Sequence, residues 1–369
     1  MSTRREDTSG TVGDHPAHDE TLSQREVAER LGASVATLRR WRLGDEQGVR
    51  QEHAVAGRDH VLQSIASGAL LTRGRSVVVM LSGGRDSVCL LDLAVRIAGP
   101  AVVTALHVNY GLRAGSDTDQ RHCERLCEQL GVSLTVRPAP VPGTGNLQAW
   151  ARELRYQAAA ELAREAQADI AVGHTATDQV ETILYRLASS PSRRAILGMR
   201  FREPLAAQPQ RWLVRPLLAL TRSETAAYCG ARELAFTEDE TNEQDRFARG
   251  RVRTGLVPAL RAVHPAAERN VLTLAELLRD EAEVLDELVA DVLAGAAEIP
   301  LARLRALHPA LARLVVQQLA DDAAGSPAPG AARRLDELLA LRESGRTSLD
   351  LPHGVRAIGE RGVLRFVRR

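Results

Sequence analysis

Residues 76–97 read SVVVMLSGGRDSVCLLDLAVRI, and three patterns follow one another within this stretch. Val77, Val78, Val79, Met80 and Leu81 form an apolar run without alternation, as in a strand buried on both faces of a parallel sheet. Ser82-Gly83-Gly84-Arg85-Asp86-Ser87 follows, and Leu90, Leu91, Ala94 and Ile97 then recur with helical period. A strand, a glycine turn and a helix start bring unpaired amides and the positive end of the helix dipole to one point. The stretch therefore predicts an anion site. Gly83 and Gly84 let the backbone wrap an anion closely, and the Ser82 and Ser87 hydroxyls donate to its oxygens. Asp86 repels a bare phosphate, so its expected role is to hold Mg²⁺ or to order the loop.

The neighbouring sequence repeats the alternation. Residues 61–71 read as a helix feeding the central strand. Residues 101–108 (AVVTALHV) form a second buried strand, 117–130 a helix, 132–136 a third strand and 147–166 a long amphipathic helix. Residues 170–172 and 178–187 add a fourth strand and another helix, and 212–218 with 222–236 add one more strand and helix. Such alternation predicts an α/β fold with a doubly wound parallel sheet and right-handed crossovers. Ligands of such sheets sit at the carboxyl ends of the strands, where SGGRDS, His107-Val108-Asn109 and Gly173-His174 all fall. From residue 256 onward the pattern is helical, with 266–292 one long helix, and 348–368 closes in two short strands around His353-Gly354.

The chain has 369 residues, 44% apolar and 26% charged, with a net charge of +1. These values fit a soluble protein of two to three domains and argue against wholesale coating of nucleic acid, so any RNA contact comes from local arginine patches. There is no lysine, and all 48 basic residues are arginine. A GxxxxGK phosphate loop, a Schiff-base lysine and a lysine-adenylate ligase are thereby excluded. Cys89, Cys123, Cys127 and Cys229 show no metal-ligand spacing and read as small buried residues of a reducing cytosol. No apolar stretch reaches membrane length and the N-terminus is polar, so the expected location is cytoplasmic.

Residues 1–20 read as disordered. Ser23 and Glu26 form a capping box opening a helix in 21–44, and after Leu31-Gly32-Ala33 a second helix carries Leu38, Arg39, Arg40, Trp41 and Arg42. This spacing fits a helix-turn-helix able to contact DNA, or an ordinary helical hairpin. Residues 45–57 read as a linker.

SGGRDS resembles the pyrophosphate loop of the ATP pyrophosphatases, which grip the β and γ phosphates of ATP and leave the α phosphate open to attack. HVNYGLR (107–113), GHTATDQVETILYRL (173–187), RPLLALTRSETAAYC (215–229) and the arginine series Arg246, Arg249, Arg251 and Arg253 resemble segments of the tRNA(Ile)-lysidine synthase family. Tyr110, Thr175, Thr177 and Gly250 depart from the family strings, and the family's loop glycines are missing around 189–194. The resemblance implies an adenine-nucleotide α-hydrolase-type catalytic domain over 58–260 and a smaller, mainly helical tRNA domain over 261–369. It implies ATP and Mg²⁺ as cofactors, and free lysine and a CAU-anticodon tRNA(Ile) as substrates. Ser82, Gly83, Gly84, Arg85, Asp86, Ser87 and His107 are the expected nucleotide contacts, with Asp86 on the metal. Asp86, Arg113, Asp178 and Glu181 are the expected catalytic residues. Asp178 and Glu181 lie three apart on one helix face, which fits a metal, a substrate ammonium or a solvated helix start. Another tRNA-base modifier of the same loop family, or a DNA-binding regulator with a degenerate catalytic domain, remains the alternative.

Overall fold

A computed structural model describes Ile65 and residues 69–112, 115–142, 146–190, 192–205, 208–237 and 248–369. The helix-turn-helix-like segment, the linker, Arg113, residues 238–247 and the Arg249 side chain lie outside the described residues.

Residues Val77–Met80 form β1, and all four are buried. Val77 and Val79 join the core on one face of the sheet, while Val78 and Met80 join the core on the other. That two-sided burial is why the run does not alternate. The strands β2 (Val103–Asn109), β3 (Ser133–Pro138) and β4 (Asp169–Ala171) are parallel to β1 or to one another. A hairpin of β5 (Arg202–Leu205) and β6 (Gln208–Val214) completes a six-stranded sheet ordered β3-β2-β1-β4-β6-β5. Only β5 is antiparallel.

Two corrections to the sequence reading belong to this hairpin. The strand expected at 212–218 is β6, which begins earlier and ends at Val214, because Pro216 starts a 3₁₀ turn over Pro216–Ala219. Strand β5 was not expected, since its four residues alternate exposed and half-buried and carry no apolar run.

Helix α1 (Arg85–Ala98) follows β1, α2 (Ser116–Leu130) follows β2, and α3 (Leu147–Glu165) follows β3. α1 buries Val88, Leu90, Leu91, Leu93 and Ala94 against one face of the sheet, together with Cys123 and Leu126 of α2. α3 covers the other face with Ala158, Ala159, Leu162 and Ala163. Side chains this fully buried each contribute roughly 1.5–3 kcal/mol for Val, Leu or Ile. Helix α4 (Ala176–Ser189) leaves the end of β4, and α5 (Arg222–Ala231) packs on α1 through Tyr228 and Cys229. The four cysteines are buried and unpaired, as expected.

The chain then passes through a single turn of α-helix at Ala248–Arg251 and a π-helical segment at Val252–Leu256 into α6 (Val257–Val263) and the 27-residue α7 (Ala267–Leu293). Val180 and Leu184 of α4 pack on Val252 and Val257. After α7 come β7 (Glu298–Pro300), α8 (Leu301–Ala306), α9 (Pro309–Ala324) and α10 (Leu335–Leu339). The C-terminus holds β8 (Arg346–Leu351), β9 (Val355–Glu360) and β10 (Val363–Arg368). The two closing strands of the sequence reading are thus three, and with β7 they form an antiparallel sheet ordered β7-β10-β9-β8. Its inner face packs on Val315, Val316 and Leu319 of α9.

Candidate functional site: an anion loop beside an arginine–carboxylate network

The sheet order reverses its direction of travel between β1 and β4, and the turns leaving these two strands open into one crevice. Gly83 takes φ +84°, which L side chains rarely adopt, and a Cβ there would lie 3.2 Å from the Thr237 hydroxyl and 3.3 Å from Cys123 Sγ. The Thr237 amide donates to Gly83 O at 2.9 Å, and the Ser87 hydroxyl donates to Gly84 O at 2.8 Å and accepts from the Ser82 amide at 3.1 Å. The loop is therefore held open by its own hydrogen bonds, with the first amides of α1 free of intrahelical partners. Gly173, at the end of β4, approaches the same helix start so closely that a Cβ would stand 3.1 Å from Asp86 O.

The crevice is a cavity of about 540 Å³. Ser82, Gly84, Arg85, Asp86 and Ser87 line it from the loop, Met80, Leu106, Val108 and Val172 from the sheet, and Arg222 and Arg253 from the later chain. Arg222, in the first turn of α5, ties the acidic groups together. Its Nη2 donates to Asp178 Oδ1 at 2.5 Å and its Nη1 to Glu181 Oε1 at 3.2 Å, while Nε lies 3.8 Å from Asp86 Oδ2. Arg253 donates from Nε to Glu181 Oε1 at 2.8 Å and from Nη2 to Oε2 at 3.1 Å.

Each carboxylate sits differently. Burial pushes the Asp86 carboxyl above its usual range, although Thr225 donates its hydroxyl to Oδ1 at 2.5 Å. Asp178 is also penalised by burial. Arg222 and the Thr175 amide and hydroxyl, both 2.9 Å from Oδ2, outweigh that penalty and hold it below the usual range. Thr175 is the N-cap of α4 and forms a reciprocal capping box with Asp178. This explains one departure from the family string, and Thr177 accepts a bond from the Arg222 amide at 3.3 Å. Glu181 is 4% exposed. His174 lines the cavity with Nδ1 buried and lacking a partner, and burial pushes its imidazole down to about 4.

The structure thus brings together Ser82 to Ser87, Asp178 and Glu181. His107 is a correction. It is 5% exposed, its Nδ1 lies 2.9 Å from Leu81 O, and it is not part of the cavity wall. The strand-end position that drew attention to it points its ring toward α2 and Cys123 instead. Arg222, Thr225 and Arg155 went unread as site residues, the last with a buried, unpartnered Nε on the cavity wall, and His174 was read only as part of a ligand-facing strand end. A signal existed for the first two. Thr221 and Glu224 form a capping box, which places Arg222 in the first turn of a helix and Thr225 one turn on from Thr221.

No group of three or more His, Cys, Asp or Glu side chains suited to a metal occurs among the described residues. Mg²⁺ needs only one or two carboxylates beside substrate phosphates, and Asp86, desolvated and next to the loop, fits that donor set.

A parallel α/β sheet with a phosphate-cradling loop at its switch point defines a nucleotide-binding protein of the pyrophosphate-loop class. The family model described as "PP-loop domain" matches residues 57–260. The tRNA(Ile)-lysidine synthase of Dehalococcoides mccartyi is 30% identical over 315 residues, covering 80% of this chain and 67% of the relative. That of Symbiobacterium thermophilum is 33% identical over 337 residues, covering 84% and 69%. The chain belongs to the tRNA(Ile)-lysidine synthase family. It spans about half to about two thirds of the length of the curated relatives it matches, from 47% to 69%. Among solved structures, the U34-tRNA thiolase NcsA of Methanococcus maripaludis shares the fold, with a TM-score of 0.51 and 17% identity over 62% of this chain and 80% of that one.

Proposed function

We propose that the chain uses ATP to join free lysine to the 2-position of the wobble cytidine of a CAU-anticodon tRNA(Ile), releasing AMP and pyrophosphate. The observation that carries this reading is that the anion loop and Arg222 line one cavity, and that Arg222 is paired behind that wall with Asp178 and Glu181.

The loop amides and the α1 dipole hold the β and γ phosphates, leaving the α phosphate facing the cavity. The cytidine 2-carbonyl oxygen attacks that phosphorus and pyrophosphate departs. Lysine then attacks C2 through its ε-amine, the bond to the AMP oxygen breaks, and the amine's protons pass to solvent. Mg²⁺, held by Asp86, would neutralise phosphate charge in the complex. The remaining work is positioning.

Lysine arrives as an ammonium with a reference pKa of about 10.4. A carboxylate offers about four lone-pair sites. Asp178 uses one on Oδ1 and two on Oδ2, and Glu181 two on Oε1 and one on Oε2. Among the described residues each therefore keeps one lone-pair site uncommitted. A reaction on tRNA and free lysine fits a cytoplasmic location. Incubation with ATP, labelled lysine and tRNA transcripts tests the proposal. Label should enter tRNA(Ile) with a CAU anticodon and not a transcript whose wobble base is uridine. Label in neither transcript, with ATP still bound, would reject it.

A further inference from the structure

A second cavity, of about 480 Å³, lies where α4 ends and the chain turns against α7 and α9. Five guanidinium groups line it, from Arg186, Arg193, Arg194, Arg313 and Arg333, against two carboxylates, Asp286 and Asp321. Both carboxylates aim arginines. Asp286 Oδ1 accepts from Arg193 Nη2 at 2.8 Å, and Asp321 Oδ2 from Arg194 Nη1 at 3.3 Å. Asp321 is itself fixed by the Ala328 amide at 2.7 Å and by Gln317 Nε2 at 2.8 Å. The chain after α4 is tied down as well, by Arg186 Nη1 to Gly198 O at 2.6 Å and Arg279 Nη1 to Leu197 O at 3.1 Å.

Two features of this cleft call for an anion. Arg193 Nη1 is buried without a hydrogen-bond partner, a costly state for a charged donor unless a ligand supplies the acceptor. Arg313 and Arg333 are exposed, and no carboxylate among the described residues pairs with either. The position says which anion. Arg186 lies eight residues beyond Asp178, about 12 Å along α4 at 1.5 Å per residue. A nucleic acid whose reactive base occupies the first cavity carries its next phosphates within that reach.

We infer that this cleft holds backbone phosphates of the substrate RNA, with Arg193 and Arg194 preset by Asp286 and Asp321 and with Arg313 and Arg333 as the outer contacts. The inference rests on the reading of the first cavity as the tRNA-modifying site. Arginine suits the task because its planar fork donates two bonds to one phosphate and never loses its charge.

The test is the double variant Arg313→Glu/Arg333→Glu, compared with wild type for binding of a CAU-anticodon tRNA transcript between 50 and 200 mM salt. Both positions are exposed, so the fold should be retained, checked by circular dichroism. The variant should bind tRNA about tenfold or more weakly at 0.1 M salt, and its log K against log salt slope should fall by about 2, one for each phosphate no longer neutralised. Its affinities for ATP and for pyrophosphate should not change. Unaltered tRNA affinity and slope would overturn the inference, as would equal losses for tRNA and pyrophosphate, which would mark a site for free polyphosphate. A wild-type chain that binds no tRNA would overturn this inference together with the proposed function, whereas wild-type binding matched by the variant overturns the cleft alone.

Discussion

Arg222 has Asp86, Asp178 and Glu181 all within 3.8 Å of its guanidinium. Three carboxylates so close are tolerable only because two arginines interleave them, and the opposite pKa directions of Asp86 and Asp178 show how unevenly those two benefit. Asp178 lies below its ordinary 3.8, so the unfolded chain takes that proton first as pH falls. Its contribution to stability is complete above about 4 and is lost as pH falls through the folded-state value. Asp178→Asn should therefore lower stability at neutral pH, and the gap to wild type should narrow below pH 4 in urea titrations. His174 acts in a different window. Its imidazole, pushed down to about 4, stays neutral in the folded chain while the unfolded chain protonates near 6.5. Stability should fall between about pH 6.5 and 4, and His174→Gln should flatten that slope. A wild-type curve already flat over this window would show that His174 is solvated. Glu181→Gln keeps the shape and removes the charge proposed to face a lysine ammonium. It should raise KM for lysine about tenfold or more, the 1.4 kcal/mol expected of a single charged contact, while tRNA-dependent adenylation without lysine changes much less. Equal losses in both half-reactions would assign Glu181 to nucleotide binding.

At the level of elements, the site depends on how closely β4 approaches the start of α1. A Cβ on Gly173 would stand 3.1 Å from Asp86 O, 3.2 Å from its carbonyl carbon and 3.3 Å from the Ser87 amide. All three are backbone atoms, so the neighbour cannot rotate away. Gly173→Ala should cost about 1–3 kcal/mol in denaturant unfolding and raise KM for ATP by displacing the loop. Unchanged ATP kinetics would mean the loop tolerates that shift. The loop and its flanking elements were legible in the sequence because local rules produce them: an unbroken apolar run, paired glycines and a helical period. The Arg222 network was not, because its members come from α1, α4, α5 and the π-helical turn. Asp86 to Arg253 spans 167 positions, and only the fold brings them together. His107 failed for the complementary reason. A strand end was correctly placed, but the direction of the last side chains depends on pleat and neighbours, and Leu81 O and Cys123 claim that ring.

For the whole molecule, every segment that resembles the synthases lies within residues 61–369. Deleting residues 1–52 should leave lysine incorporation within about a factor of ten, roughly 1.4 kcal/mol. If the helix-turn-helix reading of 21–44 is correct, the shortened chain should lose affinity for duplex DNA in the same preparation. A greater loss of lysine incorporation would assign the first residues to tRNA binding.

The central claim is that this chain cleaves ATP between its α and β phosphates, on behalf of a tRNA base and lysine. The products of ATP turnover test it most directly. With CAU-anticodon tRNA and lysine both present, wild type should release AMP and pyrophosphate in equal amounts, omission of the tRNA should abolish release, and Asp86→Ala should abolish it with an unaltered circular dichroism spectrum. Release of ADP and orthophosphate, or AMP formed at the same rate without tRNA, would contradict the account.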